Sequence, residues 1–176
     1  MTGTLDACFQ QEFLKAHNTY RTKHSAPLMT LNSEMSASAQ KWADHLATST
    51  MKHSGSQDGE NIYNMWSSST INLTGKEAVD SWYSEIKEYN WSTPGYNSKT
   101  GHFTQVVWKN SNELGVGMAT DGNKVFVVGQ YRPAGNVNMP GYFETNVLSA
   151  GREVSGAGST SSKGGGVSPS KTCTLL

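Results

Sequence analysis

Two histidines and two glutamates, His53, Glu60, Glu85 and His102, are the side chains of this sequence best suited to holding a divalent ion. Neutral imidazoles give a lone pair to Zn²⁺, and carboxylates orient the rings or a bound water. His53 and Glu60 flank a Ser/Gly-rich segment (Ser54, Gly55, Ser56, Gly59). Glu85 follows Trp82 by three residues on a predicted helix, and His102 follows Gly101 at the start of an apolar stretch. There is no H-E-x-x-H and no pair of closely spaced cysteines, so spacing alone does not bring the four together. The competing reading is that each histidine hydrogen-bonds within its own loop. A Ser/His/Glu hydrolase is a second possibility, with Ser67, Ser68 or Ser69 as nucleophile. No G-x-S-x-G elbow presents a serine, and three adjacent serines read as a polar loop. Gly75-Lys76 lacks the upstream Gly and the following Ser/Thr of a phosphate-binding loop.

The chain ends in Cys173-Thr174-Leu175-Leu176. This is a C-a-a-X box, and its terminal Leu favours a geranylgeranyl group on Cys173, although Thr174 is not aliphatic. From Gly151 to Leu176 there are six Gly and six Ser and no aromatic residue, which predicts a flexible tail. The tail carries Arg152, Lys163 and Lys171, too dispersed for a polybasic cluster. Stable anchoring generally takes two signals, and the lipid of a homodimer partner would supply the second. Cys8, the other cysteine, reads as a half-buried residue of the first helix. Asn72-Leu73-Thr74 and Asn90-Trp91-Ser92 are glycosylation sequons that matter only in the secretory lumen. Prenylation is cytosolic, and the two kinds of signal conflict. Two cysteines give no disulfide framework, and Met1–Gln10 lacks the basic and apolar regions of a signal peptide. These features predict a cytosolic protein with accidental sequons.

Which elements would position the four residues? The chain has 176 residues, 14 Lys plus Arg and 14 Asp plus Glu, with 10% aromatics. That suits one globular domain, over residues 1–150, with enough large rings for a core. The balanced charge leaves no basic excess for a nucleic-acid backbone. No run of 18 or more apolar residues predicts a spanning helix. Phe9, Phe13, Ala16 and Tyr20 mark a helix over about 6–23, and Met35, Ala39, Trp42 and Leu46 mark a second with Asn32 or Ser33 as N-cap. Val79, Trp82, Tyr83 and Ile86 mark a third, with Thr74 and Glu77 as a capping box. Residues 114–119 and 124–131 read as strands joined at Asp121-Gly122, and 142–147 as a further strand. Helices first and antiparallel strands later predict an α+β class.

Four ordered blocks then carry a family resemblance. They are His17-Asn18-Thr19-Tyr20-Arg21, Gly59-Glu60-Asn61-Ile62, the run Gly101-His102-Phe103-Thr104-Gln105-Val106-Val107-Trp108-Lys109-Asn110-Ser111, and Phe126 through Asn136. Over about residues 7–149 the chain resembles the CAP superfamily of pathogenesis-related and cysteine-rich secretory proteins. Gly129 stands where the last block usually has Cys, and the family's other disulfide cysteines are missing. That resembles the intracellular, Golgi-associated plant pathogenesis-related branch. Members of that branch carry a myristoylated N-terminal Gly, but position 2 here is Thr.

The resemblance implies a three-layer α-β-α sandwich with a mostly antiparallel sheet. It also implies a cleft in which His53 and His102 ligate a divalent metal such as Zn²⁺, while Glu60 and Glu85 orient water or the rings. His17 and Arg21 are implied scaffold, with Asn18 bridging backbone groups. The expected function is non-enzymatic: a lipid- and membrane-associated domain on the cytosolic face of Golgi or other endomembranes. A metal-dependent hydrolase with Glu60 or Glu85 as base, or a secreted defence protein, are the alternatives.

Overall fold

The computed structural model describes residues 6–151. Helix α1 (Ala7–Lys23) starts at Asp6, whose carboxylate accepts from the Cys8 N–H at 3.0 Å. Strand β1 (Thr30–Leu31) leads to α2 (Ser33–Ala47), capped by Asn32, which accepts from Met35 N–H. These are the two starts the sequence predicts. Strand β2 (Gly59–Trp66) precedes α3 (Glu77–Tyr83), which tightens into a 3₁₀ turn, Ser84–Glu88. Helix α4 (Gly101–Val106), the β3 (Glu113–Asp121) and β4 (Lys124–Arg132) hairpin, and α5 (Tyr142–Asn146) complete the fold.

The four strands lie in the order β1-β3-β4-β2. Only β1 and β3 are parallel; β3–β4 and β2–β4 are antiparallel. Helix α2 covers one face, where Ala39, Ala43 and Leu46 meet Ile62, Phe126 and Val128. Helices α1, α3 and α4 cover the other, around Phe13, Trp82, Phe103, Val127 and Tyr131. The result is the expected α-β-α sandwich, with successive strand residues feeding opposite cores.

Helix α2 lies very close to β3 because β3 offers it glycine. A Cβ on Gly115 would stand 2.5 Å from the Met35 carbonyl carbon, and one on Gly117 2.3 Å from Gln40 N. Gln40 then bridges the gap, accepting from Met118 N–H at 3.0 Å and donating to Met118 O at 2.7 Å. At the hairpin, Asp121 pairs with Lys124, so the loop is Gly122-Asn123, and Gly122 takes a φ of 55° that glycine tolerates best.

Several expectations fail. Helix α3 begins at Glu77, with Thr74 outside it: the Thr74 hydroxyl meets the Glu77 carboxylate, but Gly75 is held aside by donating to Glu12 Oε2. Glu85 therefore sits on the 3₁₀ turn rather than on the α-helix. The stretch expected as a strand, 142–147, instead forms helix α5 (Tyr142–Asn146) with Val147 just past its end. Gly141, at φ 82°, starts it, and the Thr145 hydroxyl and Asn146 amide donate back to the Gly141 and Tyr142 carbonyls. Its burial falls on Phe143, Asn146 and Val147, a helical period. The apolar stretch after Gly101 is helix α4, and β1 and β2 had no legible pattern. Residues 152–176, including Cys173, lie outside the described residues. No helix among the described residues is long and apolar enough to cross a membrane.

Gly117→Ala will destabilise the fold by about 1–3 kcal/mol, because α2 must move off the sheet. Gly95→Ala, whose added Cβ meets nothing within 4 Å, will stay within about 0.5 kcal/mol of the parent. Urea denaturation of both variants reads the contrast.

Candidate functional site

The structure forms two histidine–glutamate pairs. His53 Nδ1 is 2.9 Å from Glu60 Oε1, and His102 Nδ1 is 2.9 Å from Glu85 Oε2. An ionised carboxylate only accepts, so in each pair Nδ1–H donates and the Nε2 lone pair is left for another partner.

Each carboxylate is fixed by more than its histidine. Glu60 Oε1 also accepts from Ser54 N–H (2.9 Å), and Oε2 accepts from the Ser54 hydroxyl (2.5 Å). Its side chain is 5% exposed against 67% for His53, a reachable ring on a buried support. Glu85 Oε1 accepts from the N–H groups of His102 (2.9 Å) and Phe103 (3.0 Å). It therefore supplies from a neighbouring turn the cap that Thr100 does not provide to α4. The His102 ring lies parallel to the Trp82 indole at 6.1 Å.

Strand β2 separates and relates the pairs. It is the sheet's edge, and Glu60 and Asn61 point to opposite faces. Glu60 turns toward the Ser54 segment. Asn61 donates to His102 O (3.1 Å) and to the Tyr131 hydroxyl (3.2 Å). The four predicted residues are thus brought in as two pairs, one through Glu60 of β2 and the other through His102, whose carbonyl is held by the next residue of that strand, Asn61. Among the described residues, no three His, Cys, Asp or Glu side chains form a group able to hold an ion. Ser67–Ser69 are far away: β2 runs from Glu60 to Trp66, and Ser67 N–H donates to Asn123 O beside the hairpin loop. Ser67 Oγ is 3.2 Å from Ser69 Oγ, the polar loop expected.

Ser54 and Asn61 went unassigned in the sequence. Each adjoins a residue that had been singled out, and each belongs to a type that bridges backbone and side-chain groups, which is the signal that could have found them.

Beneath the pairs lies the scaffold implied by the first block. Tyr131 Oη–H donates to His17 Nε2 at 2.7 Å, and His17 Nδ1–H donates to Phe13 O at 2.9 Å. Arg21 donates from Nε to Pro27 O, from Nη1 to Val106 O and Trp108 O, and from Nη2 to Lys109 O and Ser111 O. Asn18 accepts from Met29 N–H and donates to Met29 O. Burial lowers the His17 pKa to about 3 and that of Arg21 to about 10, and it raises the Tyr131 phenol. At neutral pH His17 is a neutral acceptor and Arg21 a cation.

Residues 14–131 match the model of the CAP, or cysteine-rich secretory protein, family. The chain belongs to that family. It is 50% identical over 147 residues to Golgi-associated plant pathogenesis-related protein 1 of Homo sapiens, covering 80% of this chain and 92% of that protein. It is 36% identical over 144 residues to Protein PRY2 of Saccharomyces cerevisiae, covering 80% of this chain but 41% of PRY2. The CAP fold of BmVAL-1 superposes with a TM-score of 0.70 at 23% identity, over 85% of each chain.

His17 gives this CAP domain an acid-sensitive core. It is neutral when folded and protonates in the unfolded chain below pH 6.5, so stability falls as pH drops from about 6.5 toward 3. The slope from this one group reaches about 1.4 kcal/mol per pH unit. His24, also lowered by burial, adds in the same direction. His17→Gln will flatten the slope without removing it, as read by urea midpoints at stepped pH.

Proposed function

We propose that this chain is a non-enzymatic, membrane-associated CAP domain with a divalent-metal-binding cleft. A lipid on Cys173 holds it at the cytosolic face of Golgi or other endomembranes. The observation that carries the cleft reading is the pair of Nδ1–carboxylate contacts, which leave His53 Nε2 and His102 Nε2 as ligand atoms. The donor chemistry fits a borderline ion such as Zn²⁺, and imidazoles supported by carboxylates are the usual form of such ligands. His53 and His102 would hold the ion, and Glu60 and Glu85 would orient the rings. With two protein ligands, water would complete the shell, and the ion would act as a Lewis acid.

Binding is favoured over hydrolysis because both oxygens of Glu60 and of Glu85 already accept from ring, hydroxyl or backbone donors. A general base needs a free oxygen within reach of the attacking water. The Golgi assignment draws on the relative of that name, 50% identical, and the tether draws on the Cys173-Thr174-Leu175-Leu176 box. Two chains in a dimer would bring two lipids to one surface and meet the two-signal requirement.

Calorimetric titration with Zn²⁺ tests the cleft. Affinity will fall at least tenfold in His53→Ala and in His102→Ala, and by about 10–100-fold in Glu60→Gln, which loses the ring's support. Wild-type affinity in both histidine variants would refute the assignment. Subcellular fractionation of wild type against Cys173→Ser tests the tether, with intact mass locating the lipid. Wild type will sediment with membranes and the variant will not; an unmodified Cys173, or glycans on Asn72 or Asn90, would overturn it.

A further inference from the structure

Gln130 is fully buried on β4, and among the described residues neither Nε2 nor Oε1 of its amide has a hydrogen-bond partner. A buried amide is costly to leave unmet, and native structures leave few of them so. The register shows what lies beside it. Gln130 stands between Glu60 of β2 and Gly115 of β3, directly opposite each. Opposed residues of an antiparallel pair share a face, with Cβ atoms about 5 Å apart. A Cβ on Gly115 would meet Met35 of α2, so the row Glu60–Gln130–Gly115 lies beneath that helix.

The neighbours on that face leave one buried acceptor for the amide. Gly115 has no side chain, and Met35 overhead is buried and apolar. Along β4, Val128 belongs to the apolar cluster under α2, and Arg132 is committed through Nε and Nη2 to the two oxygens of Asp58. Glu60 remains. An ionised carboxylate offers about four acceptor positions. Glu60 fills two on Oε1, from His53 Nδ1–H and Ser54 N–H, and one on Oε2, from the Ser54 hydroxyl. A position on Oε2 is left over. All of these donors come from residues 53 and 54, the segment that Glu60 has to steady. Glu85, by contrast, accepts from N–H groups of α4 as well as from its histidine. A donor from the sheet would give the Glu60 carboxylate the same independent reference.

We propose that Gln130 is a positioning residue for His53, joined to Glu60 Oε2 by one trapped water that accepts from Gln130 Nε2–H and donates to the carboxylate. Buried waters occupy sites of this kind, between polar groups that cannot reach one another directly. The relay runs from β4 through Glu60 to His53 Nδ1–H, and it sets the direction in which Nε2 is offered. Gln130 acts through Glu60 and touches no ion. Its purpose rests on the metal-binding reading above, while the relay itself rests on the sheet register and the unmet amide.

Gln130→Met replaces the amide with an apolar side chain of similar length. Ring ¹H–¹⁵N spectra of the metal-free full-length chain at about pH 8, where imidazoles are neutral, read the histidine tautomers. Wild-type His53 will hold its proton on Nδ1. In Gln130→Met part of it will pass to the Nε2–H form, while His102, braced by Glu85, will not change. An unchanged His53 ring rules the relay out, and so does an equal shift of both rings, the mark of a general loosening. A measurement on the wild type needs no variant to fold: the Gln130 amide protons will show cross-relaxation with a long-lived water, and without that contact the proposal fails. With Zn²⁺, calorimetry will show affinity about threefold lower in Gln130→Met. In a Glu60→Gln background the same substitution will cost nothing further, as expected of groups that act in series. The spectra decide the relay without any ion, so an absence of Zn²⁺ binding in the wild type would count against the metal reading alone.

Discussion

Arg21 is a buried cation with no carboxylate beside it, and the rest of the domain is arranged around that fact. Taking a guanidinium out of water costs several kcal/mol unless its donors are met. Here five N–H groups meet five carbonyls, at Pro27, Val106, Trp108, Lys109 and Ser111. One of those carbonyls, at Val106, ends α4, and three more, at Trp108, Lys109 and Ser111, belong to the connection from α4 into β3. One side chain of α1 therefore fixes where α4 ends and where the sheet begins. Lysine could not replace it, since three donors on a point charge cannot meet five carbonyls spread in a plane.

From this clamp the site is built by neutral relays. Asn61 donates to Tyr131, Tyr131 to His17, and His17 to the Phe13 carbonyl. The same Asn61 amide holds His102 O. A strand, a hairpin and two helices are joined through one polar thread. Every member is satisfied, which is the condition under which a buried network specifies a unique packing. Glu85 adds the last restraint by capping α4 across a gap in sequence. The two imidazoles are consequently presented by different means, His53 from a turn braced on Glu60 and His102 from a helix capped by Glu85.

The legible parts of the fold were those whose signal is local. Helices α1 and α2 show apolar stripes and caps within a few residues, and the β3–β4 hairpin shows valine-rich runs around a turn. Strand β2 was not legible because its Gly, Glu and Asn side chains are chosen for the site rather than for strand propensity. Helix α5 is ambiguous in the sequence because the six residues 142–147, with two aromatics, fit either period. The Thr74 capping box failed because the Thr74 hydroxyl bonds the Glu77 carboxylate rather than the Glu77 N–H, and the helix starts only after Lys76.

The sequence by itself supplied candidates: Glu60 and His102, and the scaffold residues His17, Asn18 and Arg21, stand within blocks of characteristic spelling, while His53 and Glu85 stand outside them and join the set only through the family resemblance. It determined too that α2 can approach the sheet, since Gly115 and Gly117 leave no side chain in the way. What only the tertiary structure decided was pairing: which histidine leans on which glutamate, and that Ser54 and Asn61 complete the supports. Hydrogen bonds at 3 Å depend on the three-dimensional register of residues more than a hundred positions apart, and no periodicity along a chain encodes a distance across it.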